Sequence, residues 1–517
     1  MPVQNFTSKD GTQLILSVFP ANKGLTTGLV TAFTPADSKL VSENLVHYTT
    51  GGVRTRPARI QYMTNLHIGG VRGTRFLMQH FRTVSGVKQQ RTIAAIDGGF
   101  WEDPGSGTFT HIGNYGATTT PVDIITGTSL VGVAVLGVKS VGLKQYNHTT
   151  LSDLTTGSAQ QCYLARKHRG SIWAAGDPDS PEVLYKSNGE TITDFTTGTS
   201  NSFNVDLGVS DPRGLTAICP DFLGRLYLGK YNSLYEMDTS VSTFPIRPIT
   251  ESYGIISHNA VVTIAGDLIY PSTRGLHSLQ ATIQYGDVSE TFLSKNISNI
   301  WLEKIDFTRS EEINACFSQE FNSYLMVYPD RTTGAYNLLG YNITEGSFYH
   351  WDELGVSCVG PQLDPTTGFQ RILFGKDEGS VDYMERYTGA TYVDHDDGPY
   401  TSRFKTPPMF PSVVPGPTFR FTRAEIFFVP RSTSPITLEY QVDQKPAQTV
   451  SISQSEATLN GGMAKKIVDL SGEGQSITLD FSCTSSSLDA GAAFEILGYN
   501  LYCLPSGDIY STVQVTE

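Results

Sequence analysis

Residues 223–237 read Leu223-Gly-Arg-Leu-Tyr-Leu-Gly-Lys-Tyr-Asn-Ser-Leu-Tyr-Glu-Met237, two short apolar runs joined by a polar turn. The same arrangement recurs along the middle of the chain, with further apolar runs beginning near positions 93, 172, 268, 323 and 372. From position 172 onward the copies lie 43 to 55 residues apart, and the wider gap before it holds a degenerate copy at 129–136. Repeats of about 40–50 residues with several short strands are typical of propeller blades. The sequence therefore predicts a β-propeller of six to seven irregular blades.

Composition and turn segments favour an all-β fold. Only 17% of the 517 residues are charged, and 50 are glycine. Glycine supplies positive φ in tight turns, and the abundant Thr and Tyr suit a pleated, half-buried surface. A helical pattern is confined to a short stretch at 309–315. Polar segments separate the apolar runs, and they open on aspartates whose side chains can accept hydrogen bonds from the following backbone: Asp103, Asp177, Asp211 and Asp330.

A proline-rich passage at 405–417 marks the predicted end of the propeller. Each proline removes a donor from a sheet ladder, so this passage cannot be a central strand. Five alternating runs after it predict a β-sandwich-like domain. Residues before 61 show few periodic runs and predict an extended N-terminal arm. The predicted organisation is an arm (1–60), a propeller (61–404), a linker (405–418) and a C-terminal β-domain (419–517).

Charge is spread unevenly along the chain, whose net charge is −13. Residues 1–92 carry eleven Lys/Arg against three Asp/Glu, whereas the rest carries 26 against 47. A basic segment of this kind can meet an acidic partner surface or nucleic acid. Equally, it can be held on the chain's own acidic body. The sequence leaves both interpretations open.

Arg54-Thr-Arg-Pro57 is the candidate docking motif. The residue before a proline is extended, and alternate side chains of a strand point the same way. Arg54 and Arg56 could therefore offer two guanidinium groups to one partner, with Arg59 close behind. The alternative is that they are ordinary surface arginines leading into the first blade.

Signals for catalysis and metal binding are weak. Asp97 and Glu102 could form an acid/base pair, but glycosidase chemistry needs two carboxyls held about 5–10 Å apart, and the Asp-box repeats of sialidase propellers are absent. The run Asp394-His-Asp-Asp397 lacks the spacing of a calcium loop, so a solvated turn is predicted. His67 and His80 lie in apolar surroundings and are predicted to be structural. The sequence predicts no catalytic residue, no metal and no cofactor.

The cysteines and tryptophans are predicted to be core residues. Six cysteines form no C-x-x-C pair and are predicted to be reduced, although Cys483 and Cys503 could face each other across one β-domain. The tryptophans, about one per blade, favour core wedges over a sugar-binding face: Trp101, Trp173, Trp301 and Trp351. No segment approaches the roughly 18 apolar residues of a membrane helix, so no membrane segment is predicted.

These segments, in this order, resemble the tail nozzle, or tail tubular, proteins of short-tailed bacteriophages. The resemblance covers most of the chain: an irregular arm ending in Arg54-Thr-Arg-Pro57, then propeller blades, then a terminal β-domain. Its further marks are the closing strand Phe494-Glu-Ile-Leu-Gly-Tyr-Asn-Leu501 and the crossover Asp394-His-Asp-Asp-Gly-Pro-Tyr-Thr-Ser-Arg-Phe-Lys405. None of these is a catalytic fingerprint.

The resemblance implies a structural virion protein of the phage tail, assembled in the host cytoplasm. It implies a ring of six copies below an adaptor or portal ring, with tail fibres or spikes at the side. The ring would retain the genome and then conduct it during ejection, without sequence-specific binding. A negative inner wall suits that passage, because it repels phosphates.

Two other functions compete with a nozzle ring. One is a receptor- or glycan-binding propeller of a tail fibre or spike, and the other is a propeller glycosidase using Asp97 and Glu102. A ring must bury broad contacts between its subunits. A receptor binder needs a free face with a ligand site, and a glycosidase needs carboxylates in a cleft.

Overall fold

The computed structural model divides the chain into two compact units. The propeller unit comprises residues 60–339 and 354–384, and the terminal unit comprises 1–59, 340–353 and 385–517. No helix among the described residues is long and apolar enough to cross a membrane. The residues that the structure describes are 4–7, 13–19, 21, 23–27, 34–47, 52–63, 73–115, 123–154, 158–189, 191–195, 202–205, 211, 213–285, 292–352, 354–384, 393–394, 398–412, 416–455, 462–484 and 493–506.

Six short strands precede the first blade. Five belong to the terminal unit, and the sixth leads into the propeller unit. They are β1 (Gln4–Thr7), β2 (Leu14–Val18), β3 (Val41–Glu43), β4 (Leu45–His47), β5 (Val53–Thr55) and β6 (Arg59–Met63).

Four antiparallel four-stranded sheets follow, each built from consecutive strands, and then a three-stranded sheet. Consecutive antiparallel pairing needs only short turns, which the Gly- and Asp-rich segments provide. The sheets are β7 (Thr74–Val84), β8 (Val87–Ile96), β9 (Gly99–Asp103), β10 (Thr110–Asn114); β11 (Ile125–Leu130), β12 (Val133–Val138), β13 (Gly142–Tyr146), β14 (Leu151–Asp153); β15 (Leu164–His168), β16 (Ser171–Ala175), β17 (Val183–Lys186), β18 (Ser202–Asn204); β19 (Ala217–Ile218), β20 (Leu226–Gly229), β21 (Leu234–Met237), β22 (Ile246–Thr250); and β23 (Val262–Ile264), β24 (Asp267–Pro271), β25 (Leu276–Ser278).

Short helical segments connect this part of the propeller to the last strands. They are α1 (Leu279–Tyr285), 3-10 turns at Ser158–Gln161, His258–Ala260, Lys295–Ile297 and Phe307–Glu312, and a π-helical turn at Ile300–Lys304. The turn at 307–312 lies where the sequence predicted a short helix. The strands that follow are β26 (Asn314–Ser318), β27 (Ser323–Pro329), β28 (Tyr336–Asn342), β29 (Ser347–Trp351), β30 (Val356–Leu363), β31 (Gln370–Lys376) and β32 (Val381–Met384).

An early strand completes the ring of sheets. Strands β30, β31 and β32 form one sheet with β6, so the last blade takes its fourth strand from the start of the propeller. The first strands of most successive sheets lie side by side, and β30 lies beside β7. Six sheets lie within the propeller unit, and β26 to β28 begin a seventh. The predicted all-β fold, with a propeller of six to seven irregular blades, is confirmed.

The propeller core is apolar and close-packed. Strand β16 is buried along its whole length, and the Trp173 ring lies in a cluster with Leu226, Leu228 and Met237 of the next sheet. Trp301 is fully buried and donates from Nε1 to the carbonyl of Ser272 at 3.0 Å. These two tryptophans are core residues, as predicted. Trp101 is only half-buried, and Trp351 is buried in the terminal unit, where it donates to the Leu45 carbonyl.

The terminal unit is a sandwich of two sheets, as the sequence predicted for the C-terminal domain. One sheet orders β1, β2, β42, β36 and β39, with β4, β5 and β40 at its sides; the other contains β29, β3, β35, β41, β37 and β38. Apolar side chains of both sheets form one core. Its remaining strands are β33 (Val393–Asp394), β34 (Gly398–Pro399), β35 (Thr401–Lys405), β36 (Thr418–Pro430), β37 (Ile436–Val442), β38 (Gln448–Ile452), β39 (Ala464–Asp469), β40 (Glu473–Gly474), β41 (Ile477–Thr484) and β42 (Phe494–Ser506).

The division between units differs from the predicted boundaries. The described residues between 4 and 59 are an integral part of the sandwich and not a separate arm: β2 pairs along β42 from Leu14↔Cys503 to Val18↔Tyr499. Residues 340–353 and 385–404 also belong to this unit. The described part of the predicted linker lies along this unit, since Met409 exchanges backbone hydrogen bonds with Ile477. The sequence of a short strand shows the alternation of apolar and polar residues, but it does not show which sheet the strand joins.

All six cysteines are buried and free, as predicted. Cys483 lies on β41 in one sheet and Cys503 on β42 in the other, so the two are not bridged. Burial raises the pKa of both thiols to about 12. Thiols of this kind are protonated at neutral pH and behave as small apolar side chains.

Candidate functional site

The aspartates that open turns act through their side chains. Asp103 is fully buried and accepts backbone hydrogen bonds from Gly105, Ser106, Gly107 and Thr108 at 2.9–3.2 Å. The other three predicted turns use the same device, each with at least one backbone N–H donated to the carboxylate: Asp177, Asp211 and Asp330. The connections of the propeller are therefore held in fixed positions, which is what a binding site on its face requires.

Arg56 is the centre of a buried ion-pair cluster in the terminal unit. Its Nη1 and Nη2 donate to Asp394 Oδ1 and Oδ2 at 2.9 and 2.6 Å, and its Nε donates to Asn44 Oδ1 at 3.1 Å. The guanidinium carbon lies 3.7 Å from the centre of the Tyr400 ring, and the Tyr400 hydroxyl donates to the Arg56 carbonyl. A bidentate pair stacked on an aromatic ring uses both the edge and the face of the guanidinium.

Arg59 completes this cluster. Its backbone N–H donates to Asp394 Oδ1 at 2.7 Å, and its Nε lies 3.5 Å from Asp394 Oδ2. Burial by itself raises the pKa of the Asp394 carboxyl, but Arg56 and Arg59 together outweigh burial, and the pKa lies below its ordinary value. The side chains of Arg56 and Arg59 are both 0% exposed.

The burial of these arginines corrects two sequence-based expectations. Arg56 and Arg59 stabilise the terminal unit from inside, so the predicted docking contacts do not fit them. Arg54 is partly exposed, 4.0 Å from Glu495, and its docking role stays a prediction. Asp394 lies in the core and not in a solvated turn, and residues 395–397 lie outside the described residues.

Most of the basic N-terminal cations that the structure describes pair with carboxylates of their own unit. Besides the three arginines above, Arg75 pairs with Asp377 at 3.0 Å, and Arg82 and Arg91 lie 2.9 and 3.6 Å from Glu102. This pattern favours the interpretation in which the basic segment is held on the chain's own carboxylates.

The proposed Asp97–Glu102 acid/base pair takes other partners. Glu102 accepts from Arg82 and from the Tyr146 hydroxyl at 2.9 Å. Asp97 is buried at a turn position with a φ of 48°. The Glu102 carboxylate is therefore occupied by Arg82, Arg91 and Tyr146, and these contacts hold it in a fixed position.

His80 is a structural residue, as predicted. His80 is fully buried and its Nδ1 lies 2.7 Å from Ser129 Oγ, while His67 lies outside the described residues. Burial lowers the pKa of His80 to about 4. Within the described ranges no group of three or more His, Cys, Asp or Glu side chains could hold a metal ion.

An open cleft of about 970 Å³ lies on one face of the propeller unit. In an antiparallel sheet, the start of the first strand and the turn between the second and third strands lie at the same end. The sheets beginning with β11, β15 and β19 present these segments to the cleft: residues 123–124 and 139–140, Tyr163 and 176–181, and 213–216 with Tyr231. The turn at 307–312 provides the remaining wall.

Paired charges line this cleft. Glu311 accepts from Tyr163 Oη at 3.2 Å and from Lys139 Nζ, and Glu312 accepts from Arg309 Nε and Nη2 at 2.9 and 2.6 Å. Burial and the neighbouring Glu311 raise the pKa of Tyr163, so its hydroxyl remains a donor. The cleft therefore offers fixed donors and acceptors whose own charges are largely balanced.

Further carboxylates hold the cleft loops. Asp123 Oδ2 accepts from the Ser140 hydroxyl at 2.7 Å, and Asp177 Oδ2 accepts from the Tyr185 hydroxyl at 3.1 Å. Elsewhere in the lining, the Arg213 guanidinium carbon lies 3.7 Å from the centre of the Tyr231 ring.

The cleft was not predicted from the sequence. Its lining comes from eight separate segments spread over residues 123–312, and these do not form a contiguous motif. One sequence feature pointed to the cleft: two of the predicted Asp-Pro turns, at Asp177 and Asp211, contain residues that line it.

A second open surface, the hairpin groove, lies between the first two sheets. It encloses about 750 Å³ and is lined by the ends of β7 and β8 and by turns of the next sheet. Phe81 and Val131 are 51% and 82% exposed there, beside Arg82, Lys88 and His148. Strands β7 and β8 are 11 and 10 residues long, against six for β11 and β12, which accounts for their exposed end.

Comparison with known proteins gives no family. No family model and no curated protein matches the chain. Among solved structures, the chain is similar to the extracellular domains of a proposed one-component system (9% identity, TM-score 0.39, 96% of this chain and 68% of that one) and of a proposed hybrid two-component system (9%, 0.40, 90% and 63%), both from B. thetaiotaomicron. It is also similar to an exo-β-1,3-galactanase from Phanerochaete chrysosporium (10%, 0.24, 82% and 95%). At these TM-scores the similarities carry no conclusion about function.

Proposed function

We propose that the chain is a ligand-binding β-propeller whose cleft at 123–312 binds a saccharide. The observation that carries this proposal is the cleft itself. Its volume of about 970 Å³ lies in the range of small-molecule sites, roughly 300–1,000 Å³. Its walls combine half-buried rings, Phe307 and Tyr231, with hydrogen-bonding groups from several loops.

That combination matches the chemistry of a sugar ring. The C–H faces of a sugar pack on aromatic surfaces, and its hydroxyls both donate and accept hydrogen bonds. Glu311 and Glu312 already accept hydrogen bonds from protein donors and are held in place by them. Carboxylates held in this way present fixed acceptor oxygens, which suit recognition of saccharide hydroxyls.

Replacing Tyr231 by Ala should weaken saccharide binding at least about tenfold, because truncation of a central aromatic contact typically has this effect. A glycan array first identifies a bound saccharide, and calorimetric titration then measures its Kd for the wild type and the variant. The matched control is Phe369→Ala, which removes an exposed ring that does not line the cleft. Unchanged affinity in Tyr231→Ala, or equal losses in both variants, would contradict binding at this cleft.

A second proposal, for assembly, rests on the resemblance to tail nozzle proteins. Three segments carry that resemblance, and they lie together in the terminal unit. Arg54 pairs with Glu495 where β5 meets β42, and Arg56 binds Asp394 of the crossover segment. This common location supports treating them as one feature. We infer that copies of this chain assemble into a ring in a phage tail, next to an adaptor or portal ring.

The hairpin groove provides a surface on which to test such a ring. It combines exposed apolar side chains with the cations Arg82 and Lys88, whereas the chain as a whole carries a net charge of −13. A like-charged groove does not pair with itself, so it would accept a different, acidic surface of a second copy. Contacts of this head-to-tail kind close into rings.

Replacing Phe81 by Glu should therefore convert rings into monomers. Mass photometry and electron microscopy of concentrated protein measure the copy number, for which the wild type is expected to give closed rings. The control is Val241→Glu, at an exposed apolar position outside the groove. A monomeric wild type, or rings that persist in Phe81→Glu, would contradict assembly through this surface.

A further inference from the structure

We propose that the saccharide bound in the cleft carries an anionic group, a carboxylate or a sulfate, and that Arg213 binds this group. The inference rests on the proposed function of the cleft and names the class of saccharide that it takes. It depends on three observations: how Arg213 is held, which part of its side chain is open, and how it differs from the other cations of the cleft.

Asp211 holds Arg213 and Tyr231 against each other. Its carboxylate is buried, and Oδ2 accepts from the backbone N–H of Asn232 at 2.8 Å. Oδ1 accepts from the backbone N–H of Arg213 at 3.3 Å. The Asp211 carboxylate thus links the segment before β19 to the turn after β20. Arg213 lies in the first segment and Tyr231 in the second, and their side chains are in contact.

The guanidinium of Arg213 stacks on the Tyr231 ring and leaves its edge open. The distance from Cζ to the ring centre is 3.7 Å, a face-on contact. All five N–H groups of a guanidinium point outward in its plane, so stacking uses none of them. The side chain is exposed and lines the cleft.

Arg213 differs in this respect from the other cations of the cleft. Lys139 is bound by Glu311, and Arg309 by Glu312. Within the described parts of the chain, Arg213 has no carboxylate partner: its side chain makes the Tyr231 contact, and its backbone makes the Asp211 contact. A fixed guanidinium with an open edge is complementary to a planar or tetrahedral oxyanion, which it can bind through two parallel hydrogen bonds.

An anionic group on the ligand would also account for the location of this cation. The chain carries a net charge of −13, and four carboxylates surround the cleft: Asp123, Asp177, Glu311 and Glu312. Long-range electrostatics therefore disfavours an anionic ligand, and its binding requires a direct contact with a cation. Arg213 lines the cleft and can make that contact, while the hydroxyls of the saccharide meet the paired groups of the same lining.

The test compares an acidic saccharide with its neutral ester and with a sulfated saccharide. The probes are a galacturonic acid oligomer, the same oligomer as its methyl ester, and a sulfated galactan oligomer. Calorimetric titration measures the Kd of each for the wild type, Arg213→Met, Arg213→Lys and the control Arg247→Met, an exposed arginine of the same sheet outside the cleft. Retained unfolding midpoints establish that the variants fold.

We expect an acidic oligomer to bind the wild type at least about tenfold more tightly than the ester, the size of one charged hydrogen-bonding contact. Arg213→Met should abolish this preference, Arg213→Lys should retain part of it, and Arg247→Met should keep it fully. Preference for the uronate or for the sulfated oligomer distinguishes carboxylate from sulfate.

Two different failures are distinguishable. Equal binding of acid and ester, or a preference that survives in Arg213→Met, would overturn the inference while leaving saccharide binding in place. Absence of binding for all three oligomers and for every other member of a glycan array would overturn the proposed function, and this inference with it.

Discussion

Replacing Arg56 by Met is expected to destabilise the terminal unit by about 3–5 kcal/mol, because removal of one partner leaves the other charge of a buried pair uncompensated. Asp394 would lose two hydrogen bonds, and the Tyr400 ring would lose the guanidinium stacked on it. The chain has two compact units, so bulk unfolding need not be two-state. Amide hydrogen exchange along β42 reports the stability of the terminal unit directly.

The matched control is Arg54→Met, two residues earlier on the same chain segment. Arg54 is partly exposed and lies 4.0 Å from Glu495, so its loss should cost about 1 kcal/mol or less. Equal losses of stability in Arg54→Met and Arg56→Met would contradict the larger contribution assigned to the buried cluster.

Acidification gives a second test of the same cluster. Burial raises the pKa of Asp394, but Arg56 and Arg59 lower it by more. The pKa therefore lies below its ordinary value. The ion pair thus stabilises the unit above the unfolded-state pKa of about 3.9 and loses this effect as the pH falls through the folded-state value. The stability difference between wild type and Arg56→Met should narrow below about pH 4. A constant difference between pH 7 and pH 3 would contradict the assignment.

Replacing Asp103 by Ala is the second large expected effect, a loss of about 3 kcal/mol in the propeller unit. Its buried carboxylate accepts from the backbone N–H groups of residues 105–108 and from the Tyr62 hydroxyl at 2.5 Å. Each buried donor left unpaired costs about 1–3 kcal/mol, and water entering the loop recovers part of that cost. Urea unfolding followed by hydrogen exchange in β8 and β9 measures the change.

Asp364→Ala is the control, because Asp364 also opens an Asp-Pro turn and accepts from the backbone N–H of Thr366 at 2.9 Å. This turn is largely exposed, so water can replace the lost acceptor, and the expected cost is below about 1 kcal/mol. If Asp364→Ala destabilised the unit as much as Asp103→Ala, burial would not be the cause.

Local chemistry made part of this structure predictable from sequence. The periodic apolar runs predicted propeller blades, and Asp103, Asp177, Asp211 and Asp330 make the backbone hydrogen bonds expected of turn-opening aspartates. Both features are encoded within a few neighbouring residues, where propensity and hydrogen-bonding geometry act directly.

Long-range pairing could not be predicted in the same way. Strand β2 pairs with β42 almost 500 residues later, and Arg56 pairs with Asp394. The sequence around Arg56 correctly indicated an extended arginine motif but not that a carboxylate 338 residues away would bury it. The pairing partners of strands and buried ions depend on the whole fold.

The cleft depends on both local sequence and long-range arrangement. Each of its loops follows local rules, but the convergence of Lys139, Arg213, Tyr231 and Glu311 is produced by the ring arrangement of the sheets. Residues with no shared motif therefore form one surface, which only the folded chain brings together.

The most direct test of the cleft as the ligand site is hydrogen–deuterium exchange of the full chain with and without a saccharide identified by glycan array. Protection is predicted in the segments 123–124, 139–140, 213–216 and 307–312, which line the cleft. Exchange in the hairpin groove at 81–90 should be unchanged. Protection confined to that groove, or to the terminal unit, would contradict the central claim that this propeller binds its ligand in the cleft.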